Sequence, residues 1–144
     1  MKKPTDITIN AWVKLVKAHG KAFSTVENAF KEAGFPALEW YDVLLELERI
    51  GDQGIRPFEL QAKLLLPQYG MSRLVNRLDK AGYLKRVSSD DDGRGQLLFI
   101  TPDGKQIRKR MWCVYFSAIE QAVGSRISQH EAKQLVKLLA KLSN

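Results

Sequence analysis

The sequence contains a single cysteine, only two histidines, and no uninterrupted apolar run of the about 18 residues that a membrane-spanning helix needs. No segment is therefore predicted to cross a membrane. One cysteine, Cys113, cannot form an intramolecular disulfide, which fits a reducing compartment. Lys2 and Lys3 are not followed by an apolar segment, so we expect no signal peptide. These absences predict a cytoplasmic protein.

The sequence also lacks the residue patterns that enzymes and metal sites require. His19 and His130 are far apart and have no Cys or carboxylate partner at metal-ligand spacing. It has neither a glycine-rich phosphate loop nor a nucleophile motif. We therefore expect a protein that is not an enzyme and that uses no metal and no cofactor.

Charge is distributed unevenly along the chain of 144 residues, whose net formal charge is +7. Residues 56–110 contain twelve Lys or Arg against six Asp or Glu, which is +6 of that total. Residues 33–55 reverse the balance, with Arg49 against five acids. Such asymmetry indicates a basic face for a polyanion, although a merely solvated basic surface gives the same composition.

Apolar residues at helical spacing predict four helices in the first part of the chain. They cover about residues 6–32, 36–50, 57–64 and 67–81. The last three begin near Pro36, Pro57 and Pro67, because proline is well tolerated in the first turn of a helix. The apolar stripe of the first helix consists of Ile9, Trp12, Val13, Val16, Phe23, Val26 and Phe30.

The apolar period then changes from helix to strand and back. Residues 83–88 and 96–100 are predicted to be two strands joined by a polar turn. Thr101-Pro102 opens a long helix, and Ser128 with Glu131 has the capping-box spacing at the start of a last one. The predicted fold is therefore mainly α with a small β-hairpin.

The third and fourth helices, joined by a tight connection, form the minimum of a helix-turn-helix. A helix about 10–12 Å across fits the DNA major groove, which is about 12 Å wide. Arg, Asn and Gln side chains can pair with base edges, while Ser and Tyr suit phosphates. An ordinary solvated helix surface would look similar. The candidate DNA-binding residues on this helix are Gln68, Tyr69, Ser72, Arg73, Asn76, Arg77 and Lys80.

The hairpin after this helix favours DNA binding over the solvated surface. Arg94, at a glycine-flanked tip, can reach into a narrow minor groove, where the negative potential is strongest. Asp92 is expected to hold Arg94 or the loop through charge-assisted hydrogen bonds. Asp90 and Asp91 are expected to point away from the duplex. Residues 55–101 are therefore predicted to form a winged helix-turn-helix.

Residues 111–116, Met-Trp-Cys-Val-Tyr-Phe, are six large or apolar side chains that surround the long helix. A monomer of this size covers one side of such a helix, so packing against a second copy with the first and last helices is predicted. A two-fold dimer places two recognition helices about one DNA turn apart, which predicts a near-palindromic target. Burial of this helix inside a monomer is the alternative.

Residues 54–101 resemble the MarR family, and the flanking helices extend the resemblance to nearly the whole chain. Its specific pieces are Arg73-Leu74-Val75 with Arg77-Leu78, Ala81-Gly82-Tyr83-Leu84, Asp92-x-Arg94 and Thr101-x-x-Gly104. The resemblance implies one domain over residues 1–144, in which residues 6–35 and 102–144 are dimerisation helices and 36–101 the DNA-binding lobe. It also implies a repressor that releases DNA when a small aromatic or anionic ligand binds. Pro67 departs from the pattern, since relatives often have a Ser or Thr helix cap there.

The resemblance also suggests a ligand pocket, for which the candidates are Trp12, His19, Trp40 and Asp42. Packing and helix capping are the alternative roles for these residues. A urate-responsive branch of the family has two arginines in the wing strands, where this sequence has Val87 and Phe99. An anionic purine would lack its cationic partners there, so urate is not predicted as the ligand.

Two alternatives remain beside a homodimeric, ligand-responsive repressor that binds a palindromic double-stranded DNA operator. Some relatives sense oxidants through a cysteine, but Cys113 lies in an apolar helical stretch, where burial would reduce its reactivity. We therefore expect Cys113 to be structural. A dimeric helical adaptor that binds no DNA would explain the apolar terminal helices, but not the basic helix and hairpin.

Overall fold

The computed structural model describes residues 1–65, 70–88 and 95–143. Over these residues the chain forms six α-helices and one two-stranded antiparallel sheet, which confirms the predicted fold class. The elements are α1 (Asp6–Glu32), α2 (Leu38–Ile50), α3 (Pro57–Lys63), α4 (Met71–Lys80), β1 (Leu84–Ser88), β2 (Gln96–Ile100), α5 (Pro102–Ile119) and α6 (Gln129–Ser143). Among the described helices, none combines the length and the apolar character needed to cross a bilayer.

The start of α4 differs from the sequence prediction. The helix was expected from Pro67, but it begins at Met71, because Gly70 has extended backbone (φ −72°, ψ 90°) and cannot be a helical residue. Pro67 itself lies outside the described residues. A proline is compatible with the first turn of a helix but does not require a helix to follow, so this signal placed the boundary too early.

The start of α6 is the predicted capping box. The Ser128 amide donates to Oε1 of Glu131 at 2.9 Å, and the Glu131 amide donates to Oγ of Ser128 at 3.1 Å. These reciprocal bonds satisfy two of the amide donors that a helix start leaves without an intrahelical partner.

The chain packs as two compact units. The first consists of Met1–Ala33 with Val114–Asn144, and the second of Gly34–Cys113. Helix α5 therefore contributes its first turns to the second unit and its last turns to the first. The functional division into dimerisation helices and a DNA-binding lobe remains a prediction.

The core of the second unit is a set of leucines from α2, α3, α4 and the sheet. Leu44, Leu60, Leu78 and Leu98 are completely buried, and each such burial stabilises the fold by about 1.5–3 kcal/mol. In the hairpin, Leu84 pairs with Ile100 at one end and Ser88 with Gln96 at the other. Ile55 exchanges two backbone hydrogen bonds with Leu98, at 2.8 and 3.2 Å, so the segment before α3 joins the edge of the sheet.

An ion pair joins α5 to α2 within the second unit. Nε and Nη2 of Arg108 donate to the two carboxylate oxygens of Glu48 at 3.0 and 3.1 Å. Burial lowers the pKa of Arg108, but hydrogen bonds to Glu48 and Tyr41 outweigh it and raise the pKa above its usual value. The guanidinium is therefore a permanent cation that fixes the start of α5 against α2.

The first unit has a smaller core. Val26 and Phe30 of α1 and Ala118 of α5 are buried, and the Phe30 ring lies 5.6 Å from the ring of Tyr115. The N-terminal part of the predicted α1 stripe is exposed in the single chain, including Trp12 and Val16. Apolar side chains of this unit are thus available to a partner.

Candidate nucleic-acid interface

Helix α4 separates its side chains into two faces. Leu74, Val75 and Leu78 are buried. Because successive residues turn by about 100°, Arg73, Asn76 and Lys80 lie opposite that buried stripe. The exposed predicted DNA-binding residues on this helix are Ser72, Arg73, Asn76, Arg77 and Lys80. The structure therefore brings five of the eight candidates onto one exposed surface, which we call the α4 face.

Three of the predicted DNA-binding residues, Gln68, Tyr69 and Arg94, lie outside the described residues. The same holds for Asp90, Asp91 and Asp92, to which the sequence assigned roles in the hairpin turn. Their roles remain predictions. The two strands that carry the turn are described, and they pair in the expected register.

Arg86 of β1 contacts the α4 face and was not among the sequence candidates. Its Nη2 donates a short hydrogen bond to Oδ1 of Asn76. Its buried Nε lies 3.1 Å from Oδ2 of Asp79, an ion pair whose angles fall outside those of a hydrogen bond. Strand β1 is thus joined to two residues one turn apart on α4. No local pattern signals this contact, because it depends on how β1 folds back against the helix.

A groove of 320 Å³ lies beside this network. Its lining includes Ser72, Val75 and Asn76 of α4 together with Arg86 and Gln96 of the two strands. Polar groups of the strands therefore lie next to the α4 face, and a polyanion that contacts the helix meets donors from both elements.

The base of the hairpin is tied to α4 and α5 through Thr101. Its Oγ1 donates to the carbonyl of Gly82 at 2.6 Å and accepts from the amide of Gly104 at 3.0 Å. Gly104 lies so close to the Tyr83 carbonyl and the Ile100 side chain that a Cβ would overlap both. The Thr101-x-x-Gly104 motif therefore holds the end of α4, the hairpin base and the start of α5 together.

Two of the ligand-pocket candidates belong to the second unit and have structural contacts. Asp42 is buried, and its Oδ2 accepts a hydrogen bond from the Leu65 amide at 2.7 Å. The Trp40 ring meets the Tyr83 ring edge-on at 6.0 Å. These contacts fit the packing and capping alternative, and a ligand role for both residues remains a prediction.

The other two candidates lie on α1 in the first unit. Trp12 is 65% exposed, and the ring of His19 stacks on that of Phe23 at 6.0 Å. A ligand role for Trp12 and His19 likewise remains a prediction.

Cys113 is exposed, so the expectation that it is buried is wrong for the single chain. Helix α5 buries Gly104, Ile107, Met111 and Ala118, which share one side, and Cys113 lies on the other. Six consecutive large residues indicated an apolar helix, but not which of them the chain itself covers. Within the described ranges no group of three His, Cys, Asp or Glu could hold a metal ion.

Both the sequence and the fold of this chain are similar to those of known proteins. Residues 33–95 match the model of the MarR family. A MarR family transcriptional regulator from Streptomyces coelicolor, solved in complex with DNA, has the same fold with a TM-score of 0.87. It is 21% identical, and the match covers 99% of this chain and 89% of that one. The chain is therefore similar to MarR-family proteins, by sequence over residues 33–95 and by fold over nearly its whole length.

Two further proteins resemble this chain along most of its length. An HTH-type transcriptional regulator of Bacillus cereus is 24% identical over 139 residues, which cover 95% of this chain and 90% of the relative. The structure of Bordetella bronchiseptica BpsR, whose DNA binding is regulated by 6-hydroxynicotinic acid, matches with a TM-score of 0.82 at 18% identity. That match covers 99% of each chain. The winged helix fold predicted from residues 55–101 is thereby confirmed.

Proposed function

We propose that this protein is a MarR-family transcription regulator that binds duplex DNA sequence-specifically as a homodimer in the cytoplasm. The α4 face carries this proposal, because Arg73, Asn76 and Lys80 are exposed directly opposite the buried leucines. A helix of this width fits the major groove, where arginine makes paired hydrogen bonds to guanine O6 and N7. The protein then acts by binding, not as an enzyme.

Residues at the edges of the α4 face suit the phosphate backbone. Ser72 and Arg77 lie on opposite flanks of the helix and are exposed. Contacts of this kind fix the position of a protein on the duplex without reading its sequence. We expect Arg94 to add a contact in the minor groove, as the hairpin sequence predicts.

Exposed apolar side chains in the first unit support the homodimer. Monomeric proteins rarely expose large contiguous apolar patches, and a second copy of the same helices would cover these. The DNA target is then an inverted repeat with half-sites about 10 bp apart. The side chains that support this are Ile7, Trp12 and Val16 of α1 and Val136, Leu138 and Leu142 of α6.

We further propose that the protein represses transcription and that a small aromatic or anionic effector releases it from DNA. The regulation of BpsR by 6-hydroxynicotinic acid supports this class of effector. Trp12, His19, Trp40 and Asp42 are the residues to substitute first in a search for its binding site.

Selection of bound fragments from a random duplex pool, at two salt concentrations, tests the proposal. We expect an inverted repeat to be enriched and to be bound more weakly at the higher salt. Arg73→Ala should weaken specific binding by about 1–3 kcal/mol and relax one base position. Arg49→Ala is the matched control, because it removes the same charge from an exposed side chain of α2. A pool that stays unenriched would contradict the proposed function.

A further inference from the structure

We infer that Asn76 presents its amide donors to DNA, because Arg86 binds its side-chain oxygen, and that it therefore selects guanine over adenine. This inference rests on the proposed function and names the base preference at one position. The observation behind it is the contact between Nη2 of Arg86 and Oδ1 of Asn76, beside the groove at the α4 face.

The chemistry of the two side chains fixes which way the Asn76 amide is turned. A guanidinium has five N–H donors and no acceptor, so the atom that faces it must be the amide oxygen. The amide nitrogen of Asn76, with both of its hydrogens, then lies on the side away from Arg86. Turning the amide over would place donors against donors and lose a charge-assisted hydrogen bond.

Arg86 is itself held in place, so it can act as a fixed support. Its Nε lies 3.1 Å from the Asp79 carboxylate, one turn along α4 from Asn76, and its side chain is only 27% exposed. Its backbone lies in β1, where it pairs with Leu98, a completely buried residue of β2. The orientation of the Asn76 amide is thus set before DNA arrives.

A fixed amide changes what Asn76 can recognise. An asparagine that is free to turn donates to adenine N7 and accepts from adenine N6, which is its usual paired contact. With one lone pair of Oδ1 engaged by Arg86, an adenine amino group that approached the second would be repelled by the guanidinium donors beside it. Guanine presents two acceptors, O6 and N7, and thymine one, whereas cytosine presents a donor. An amide held in this orientation beside a guanidinium therefore favours guanine most and thymine next.

The test compares the selected sites of the wild type and four variants. Asn76→Ala identifies the position that Asn76 reads, since preference is lost there. In the wild type this position should prefer guanine to adenine by about 5- to 10-fold, the size of one net hydrogen bond. Arg86→Met frees the amide, so the preference should move to adenine, whereas Arg86→Lys keeps a donor and should retain guanine. Lys85→Met is the matched control, because it removes a charge from the residue of β1 directly before Arg86. The Nζ of Lys85 lies 5.7 Å from the centre of the Phe99 ring.

Several outcomes overturn the inference. A wild type that prefers adenine or cytosine at the Asn76 position would overturn the inference but leave the proposed function intact. The inference would also be overturned if Asn76→Ala left the base preferences unchanged. Equal shifts of the base preference in Arg86→Met and Lys85→Met would overturn it as well. A wild-type pool without any enriched site would overturn the proposed function, and this inference with it. Asn76 is exposed, so Asn76→Ala should remain folded even if Arg86→Met does not.

Discussion

Helices α4 and α6 share an amphipathic pattern, but only α4 has its apolar side covered within the chain. In α4, Leu74, Val75 and Leu78 are buried. Over Gln129–Ser143 no residue of α6 is buried, and Leu138 and Leu142 are 58% and 69% exposed. Apolar residues three and four positions apart predict a helix in both cases. They do not show whether the covering surface belongs to the same chain.

The free surfaces of the two helices differ in chemistry. The α4 face is polar and basic and remains hydrated without penalty, whereas the apolar side of α6 gains about 25 cal/mol for each Å² that a partner removes from water. Under the proposed function, α4 meets a polyanion through charge and α6 meets a second copy through apolar burial. The following predictions, ordered by expected effect, separate these two modes.

Salt should distinguish the two surfaces most strongly. Raising salt from about 50 to 200 mM should weaken DNA binding by about 10³-fold or more if six or more phosphates are contacted. Self-association should be nearly unchanged, because apolar burial does not depend on counterion release. Fluorescence anisotropy with labelled duplex and light scattering measure the two quantities. Parallel losses of both would indicate that charge also holds the dimer together.

Leu78→Ala should lower the free energy of unfolding by about 2–5 kcal/mol, because it opens a cavity in the core of the second unit. Urea unfolding measures this loss, and below the transition the variant should keep the wild-type mass. Arg77→Ala, on the exposed side of the same helix, is the control and should change stability by less than about 0.5 kcal/mol. A small effect of Leu78→Ala would mean that the apolar stripe of α4 is not part of the core.

Leu138→Lys should weaken self-association by about 30-fold or more, the effect of about 2 kcal/mol at the centre of an interface. Sedimentation equilibrium measures the change. Lys137→Ala is the control, because Lys137 directly precedes Leu138 and lies on the side of α6 opposite its apolar residues. It should leave the association constant unchanged. If Leu138→Lys keeps the wild-type mass at all concentrations, another surface forms the dimer.

Ser128→Ala should lower the free energy of unfolding by about 1 kcal/mol, because α6 depends on its capping box. Helix α4 has no side-chain cap at Gly70 and relies on its buried residues instead, so Gly70→Ala should have a smaller effect. Ser128→Thr retains the hydroxyl and should recover most of the loss. Circular dichroism during thermal unfolding provides the comparison.

The sequence predicted those parts of the fold that depend on neighbours along the chain. The limits of α1, the hairpin strands and the Ser128–Glu131 cap follow from local periods and spacings, and the structure has them where they were expected. The start of α4 was misplaced, because Pro67 permits a helix without requiring one.

The contacts that the sequence could not supply are those between distant elements. The exposure of Cys113 depends on which side of α5 packs inward, and the Arg86 contact depends on the approach of β1 to α4. Asn76 was correctly placed on the exposed side of its helix. The neighbour that orients its amide comes from a strand ten residues later, after the chain reverses direction.

The close fit around Gly104 has a consequence for anyone who redesigns this protein. The exposed side of α4 offers positions where side chains can be exchanged with little cost to folding. Gly104 offers none, because even one methyl group there would push α5 away from the Tyr83 carbonyl. A variant that recognises a new operator can therefore be sought by varying the exposed side of α4. Thr101 and Gly104 should be kept, because they hold α4 in position relative to the hairpin and α5.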